Sequence, residues 1–223
     1  MRIVLFGAPG SGKGTVGGMI ESAYKFPRIS TGDLLRKAVR EGAPLGRQAE
    51  GIMAVGGLVP DEVVTSIVRD RIAGPDCRPG YVMDGYPRTI AQAEALAAID
   101  GGRRELVVSL EVGLESLVER LAGRLVCPAC GGVFHRTRKP PRRAGLCDDC
   151  GAELRVRADD AADVVRERIR VYESATAPLK AWYRERSDFR AIDGEGRAEE
   201  VFARVAAVLD AAGAVPAGGG AVR

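Results

Sequence analysis

The sequence has no asparagine, one tryptophan, one histidine and only 5% aromatic residues. So few aromatics argue against the stacking platforms that grip single-stranded nucleic acid. The missing asparagine suits heat tolerance and suits codon bias equally. Charge of one sign is scarcely in excess. A formal net charge of +3 is too mild to argue for nucleic-acid or membrane binding. No apolar run approaches the roughly 18–20 residues of a membrane helix, and Ile3–Phe6 is far too short for a secretory core. A cytoplasmic protein without membrane or nucleic-acid partners is therefore expected, and it is taken to act as a monomer. In a reducing compartment, five cysteines point to metal binding before disulfides. Lysine is sparse beside arginine. Much of that is composition, but planar guanidinium forks also grip phosphate bidentately.

At 223 residues the chain suffices for one core domain with insertions. Ile3-Val4-Leu5-Phe6, ended by Gly7, reads as a strand buried on both faces. Tyr81–Met83, Leu106–Val112, Phe189–Ile192 and a short piece at Ile29 read as further strands. Apolar stripes at Val63–Ile72, Leu114–Leu121 and Val201–Leu209 carry helical periodicity. Strands alternating with helices predict an α/β fold with a parallel sheet. Two stretches interrupt that alternation, residues 30–59 and 124–161. The core is expected over 1–29, 60–123 and 162–210, and the Ala/Gly-rich 211–223 as a flexible tail.

Gly7-Ala8-Pro9-Gly10-Ser11-Gly12-Lys13-Gly14-Thr15 follows the first strand and opens a helix. Glycines let successive backbone N–H groups turn inward onto phosphate oxygens. The helix N-terminus adds partial positive charge, and Lys13 adds a full one at the outer phosphates. Gly14 stands where the strict motif has Ser or Thr, so the hydroxyl is displaced to Thr15. The motif states nucleotide phosphates and leaves the reaction open.

This loop resembles that of the nucleoside monophosphate kinases, in which GKGT replaces GK[ST]. Ile29-Ser30-Thr31-Gly32-Asp33-Leu34-Leu35-Arg36 resembles the family's acceptor segment. Asp84-Gly85-Tyr86-Pro87-Arg88-Thr89, with Gln92, resembles its DGFPRT…Q signature. Arg120–Arg124 and Arg157–Arg168 resemble its lid arginines. Five motifs in order over residues 1 to about 210 are similar to adenylate kinases. The resemblance implies a P-loop kinase fold: a five-stranded parallel sheet flanked by helices, with an acceptor-binding helical insertion at 30–59 and a lid at 124–161. It implies reversible Mg-dependent phosphoryl transfer from ATP to AMP, giving two ADP. Such transfer rests on positioning and charge stabilisation. Lys13, Arg88, Arg124, Arg157 and Arg168 are its implied catalytic cations. The implied ATP contacts are Gly10, Ser11, Gly12, Lys13, Gly14, Thr15, Arg120, Arg124, Val133, Phe134 and Gly196. The implied AMP contacts are Thr31, Arg36, Gly57, Leu58, Val59, Gly85, Tyr86, Pro87, Arg88, Gln92, Arg157 and Arg168. Asp84 and Asp33 would organise hydrated Mg²⁺. The Gln92 amide can donate and accept at an adenine edge. Departures are Val16 where Gln is common, Ala91 where Pro is usual, Leu125 where some members have Arg, and Tyr86 for Phe.

Cys127-Pro128-Ala129-Cys130 and Cys147-Asp148-Asp149-Cys150 are two C-x-x-C knuckles sixteen residues apart. Four thiolates at this spacing make a closed tetrahedral Zn²⁺ site, structural rather than catalytic. The resemblance places it in the lid, with hinges near Gly123 and Asp159-Asp160. Cys77 and His135 lie outside the ligand set. Two other readings stay open here: a kinase for another acceptor base, and a zinc-ribbon nucleic-acid binder using the basic run Arg136–Arg143.

Overall fold

A computed structural model of the chain describes residues 1–214. Five parallel strands form the central sheet: β1 Arg2–Phe6, β2 Arg28–Ser30, β3 Tyr81–Asp84, β4 Glu105–Glu111 and β7 Asp188–Asp193, in the order β2-β3-β1-β4-β7. Side chains alternate strictly between the two faces, as the strand period of 2 requires. Ile3, Leu5, Val82, Leu106, Val108 and Leu110 meet helices α1 (Lys13–Tyr24) and α9 (Ala198–Ala211) through Val16, Ile20, Val201, Val205 and Leu209. Val4, Phe6, Tyr81, Met83 and Val107 face the other way. They pack on α4 (Asp61–Ile72), α5 (Ile90–Ile99) and α8 (Leu179–Arg186). Both faces are covered, so the first strand reads as a continuous apolar run. β7 differs: Arg190, Ala191 and Asp193 are exposed, because it is an edge strand rather than a doubly buried one.

The expected 30–59 insertion contains α2 (Thr31–Arg40) and α3 (Pro44–Ala54). It has no core of its own, since Leu35, Ala49 and Val59 belong to the cluster around Val4 and Tyr81. Residues 124–161 behave differently. Their β5 (Arg124–Val126) and β6 (Val133–His135) pair antiparallel in a separate sheet. Cys127, Phe134, Cys147 and Leu154 form a small separate cluster there. Helices α6 (Leu114–Ala122) and α7 (Ala162–Val171) bracket this segment. The final helix reaches Ala211, and Ala212 and Ala214 are buried beside Leu209, with the Ala212 carbonyl accepting from Arg104 Nη1 at 2.6 Å. The core therefore extends past the expected boundary at 210: alanine is a strong helix former, and packing supplies the rest. Residues 215–223 of the expected tail lie outside the described residues. Among the described residues, no helix is long and apolar enough to cross a membrane.

Candidate active site

Register sets the site. Ser30 of β2 and Leu5 of β1 both lie opposite Asp84 of β3. Three strands thus end together, and the turns after them share one edge of the sheet. That edge, where strand order switches sides around β1, is where open α/β sheets bind ligands. A cleft of about 1540 Å³ opens there, lined by the 7–16 loop, Asp33, Asp84, Arg88, Arg120 and the lid residues Val133 and Phe134.

The helix N-termini around the cleft are treated differently. Ser30 Oγ caps α2 by accepting from the Asp33 N–H at 3.3 Å. Thr89 Oγ1 caps α5 by accepting from the Gln92 N–H at 3.2 Å. Helix α1 carries no side-chain cap; its N-cap is Gly12 in the left-handed region at φ 96°. Its orphan N–H groups are left to an external anion. Lys13 Nζ donates to the carbonyls of Gly7 and Ala8 at 2.7 and 2.8 Å. Burial lowers its ammonium to about 8, against a smaller opposing pull from Asp84.

The arginines divide into two kinds. Arg124 grips Asp160 with both Nε and Nη2. Arg168 Nη1 donates to Asp160 at 3.0 Å and lies 3.1 Å from Asp159. Arg36 pairs with Asp33 at 2.6 Å, and Arg157 lies 3.9 Å from the same carboxylate. Burial alone would raise Asp33, but Arg36, Arg28 and Arg157 together hold it well below the usual carboxylate range. Arg120 Nη2 reaches the Gly194 carbonyl and Glu195, each at 3.0 Å. Arg88 is the exception: among the described residues no carboxylate lies within salt-bridge distance of it. Its Nε donates to the Gly85 carbonyl at 2.9 Å. Burial, then the charge of Arg168, pulls Arg88 down to about 10, and burial, then Arg36, does the same to Arg157. Such crowding of desolvated cations favours a polyanion in the space between them.

A second, narrow pocket of about 70 Å³ adjoins the cleft, walled by Thr31, Gly57, Leu58, Val59, Val64 and Gln92. Arg36, Gly85, Arg88 and Arg168 line both cavities. The expected ATP-side residues Gly10, Ser11, Gly12, Gly14, Thr15, Arg124 and Gly196 all line the cleft, as do Pro87 and Arg157. Tyr86 does not reach either cavity. Its ring is core, and its hydroxyl lies 3.1 Å from both Thr65 Oγ1 and the Gln92 carbonyl. An expected AMP contact thus lies behind the wall, because the bulky ring fills the space under the loop.

Two residues escaped the sequence reading. Arg28 donates to Asp84 at 2.8 Å and to Asp33 at 3.0 Å, bridging the two carboxylates. Thr176, in a π-helical turn Tyr172–Thr176, donates to the Arg88 carbonyl at 2.9 Å. Arg28 was visible only as the residue before a short strand, and Thr176 carried no signal. Asp84 and Thr15 line the cleft together with Lys13, and oxygen donors of this kind suit a hard cation. Asp84 accepts through Oδ2 alone among the described residues.

In the 124–161 segment the Sγ atoms of Cys127, Cys130, Cys147 and Cys150 all lie within 4.8 Å of one another. A ZnS₄ tetrahedron with Zn–S near 2.3 Å has edges of about 3.8 Å, so the donor set fits. The two knuckles are built alike. The Cys127 N–H donates to the Gly132 carbonyl and the Cys147 N–H to the Ala152 carbonyl, each at 2.8 Å. His135 is engaged elsewhere, with Nε2 3.3 Å from the Glu119 carbonyl.

Similarity to known proteins agrees with this geometry. The family profile described as adenylate kinase matches residues 5–188. The chain is 50% identical over 212 residues to an adenylate kinase of Trichlorobacter lovleyi, covering 94% of this chain and 99% of that one. It is 47% identical over 213 residues to one of Pelobacter propionicus, covering 94% and 97%. It is 46% identical over 213 residues to one of Methanococcoides burtonii, covering 94% and 99%. The chain belongs to the adenylate kinase family, the ATP:AMP phosphotransferases among the nucleoside monophosphate kinases.

Proposed function

We propose that ATP seats its phosphates on the Gly7–Thr15 loop, that AMP enters the Thr31–Gln92 pocket, and that the γ-phosphoryl group passes between them across Arg36, Arg88 and Arg168. The observation that carries this reading is that these three arginines line both cavities. A group held by them faces a donor on one side and an acceptor on the other. Lys13 and the uncapped α1 N-terminus hold the donor phosphates. Arg124 and Arg157 come from the lid and add charge at the transferring group. Asp160 on Arg124 and Asp33 beside Arg157 fix the forks in advance, so little reorganisation accompanies the reaction. Asp84 and Asp33 would hold hydrated Mg²⁺, which would supply further positive charge at the phosphates. The 124–161 lid closes over the cleft and excludes water, which protects the phosphoryl group from hydrolysis. Zinc on the four cysteines gives that lid its internal shape. The acceptor pocket is narrow, so the 30–59 insertion must swing outward to admit the base.

The test is coupled turnover of ATP plus AMP to ADP, with Arg88→Ala as control. The wild-type protein should form ADP, and the variant should lose about 100-fold or more in rate. No ADP from folded wild-type protein overturns the proposal.

A further inference from the structure

We propose that Asp61, outside both cavities, is a positioning residue that locks the Gln92 amide in one orientation and so sets which acceptor base is read. This rests on the reading of the narrow pocket as the AMP site.

Gln92 sits in the first turn of α5, 2% exposed, with its side chain on the pocket wall. Its Nε2 donates to Asp61 Oδ1 at 2.7 Å. Its Oε1 accepts from the Arg88 backbone N–H at 2.8 Å. Asp61 Oδ2 accepts from Thr89 Oγ1 at 2.6 Å, and that oxygen in turn accepts from the Gln92 N–H. Asp61, Thr89 and Gln92 thus form a closed ring behind the pocket. A carboxylate only accepts and a backbone N–H only donates. Turning the amide over would set Oε1 against Asp61 and Nε2 against the Arg88 N–H, two contacts of like polarity in a buried place, where unsatisfied groups are costly.

The amide has two N–H donors and two lone pairs on oxygen. One donor is used on Asp61 and one lone pair on the Arg88 N–H, leaving one donor and one acceptor. Adenine and cytosine present an acceptor ring nitrogen beside an amino group. Guanine and uracil present a donor ring nitrogen beside a carbonyl oxygen. A glutamine free to turn over satisfies either pattern. One held by Asp61 satisfies only the amino-base pattern, and a keto base then leaves buried polar groups unpaired.

The experiment measures kcat/KM for AMP and for GMP in wild type, Asp61→Asn and Asp61→Glu, together with the KM for ATP and the melting temperature. Asn keeps the shape but both donates and accepts, so it no longer opposes the turned-over amide. The AMP:GMP ratio should fall by about tenfold or more in Asp61→Asn, with the KM for ATP unchanged, and Asp61→Glu should keep most of the discrimination. A merely structural role would lower both substrates in parallel and leave the ratio intact, which would overturn the proposal. So would equal loss of discrimination in Asp61→Glu. If Asp61→Asn does not fold, Asp61→Ser, whose hydroxyl also does both, is read in its place with the same two outcomes. Wild-type protein inactive with AMP would instead sink the reading of the pocket itself.

Discussion

Arg28 Nη1 lies 2.8 Å from Asp84 Oδ2, and the other arm of the same guanidinium lies 3.0 Å from Asp33 Oδ2. One planar fork bridges the two carboxylates that the proposed function assigns to Mg²⁺. Arg28→Gln should leave Asp84 without its paired cation, while Asp33 keeps Arg36. Asp84 is nearly buried while Asp33 is 42% exposed, so solvent screens part of the loss, and the cost should be about 1–2 kcal/mol. For a chain of this length that is a fall of roughly 2–8 °C in melting temperature. Mg²⁺ should restore part of it, because an ion that binds the folded form stabilises it. Calorimetry with and without Mg²⁺ checks this. An equal drop in both conditions means the carboxylate pair does not hold the ion.

The lid makes a prediction of a different kind. Its cluster of Cys127, Phe134, Cys147 and Leu154 is too small to order nearly forty residues on its own. On the proposed reading, zinc held by the four thiolates supplies most of its stability. Metal analysis should find one zinc per chain. Cys147→Ser should lower the melting temperature by roughly 10 °C, and retained core structure should show as unchanged protection of β1, β3 and β4 in hydrogen exchange. A folded variant with intact lid protection would remove zinc from the account. Abolished turnover with an intact lid would show that the metal's role is not purely structural.

The sequence disclosed most where one local pattern dictates one structure. Ile3–Phe6 and the glycine loop need no tertiary information: a doubly buried strand is apolar throughout, and a phosphate loop needs its glycines and lysine in order. The cysteine knuckles are legible for the same reason. Partnerships between distant residues were not legible. Asp61 and Gln92 are 31 positions apart, Arg28 and Asp84 are 56, and Thr176 meets Arg88 across 88. Only folding brings them together, and each has an ordinary neighbourhood in sequence. Tyr86 shows the opposite limit. Its motif pointed to ligand contact, while packing took the ring into the core.

Lys13 gives a pH prediction. Burial holds its ammonium near 8 in the free protein, so it loses its proton as pH rises through that value. Phosphate prefers the charged form, so kcat/KM for ATP should fall on the alkaline side of about pH 8. Bound phosphate stabilises the ammonium and raises its pKa, so kcat should hold level to higher pH. Arginine stays charged across this range, so Lys13→Arg, although slower, should lack the alkaline limb. A kcat/KM profile flat to pH 9.5 in the wild type would contradict the assignment.

Two glycines of α3 should respond in opposite ways to the same substitution. A Cβ at Gly46 would lie 2.2 Å from the Ala38 carbonyl oxygen and 2.5 Å from the Val39 nitrogen. Those are backbone atoms of α2, so nothing can rotate away and the two helices must part. A Cβ at Gly51, on the same helix, meets nothing within 4 Å. Gly46→Ala should therefore cost about 1–3 kcal/mol through overpacking. Gly51→Ala should stabilise by up to about 1 kcal/mol, because alanine gives up less backbone freedom in a helix. The consequence reaches the site because α2 carries Arg36, which pairs with Asp33 and lines both cavities. Moving α2 displaces that fork from the acceptor pocket but leaves the Gly7–Thr15 loop in place. Gly46→Ala should thus raise the KM for AMP several-fold with the KM for ATP unchanged, while Gly51→Ala alters neither. Thermal denaturation and initial rates at varied AMP read both effects. Equal stability in the two variants would mean that the approach of α2 to α3 is looser than 2.2 Å implies.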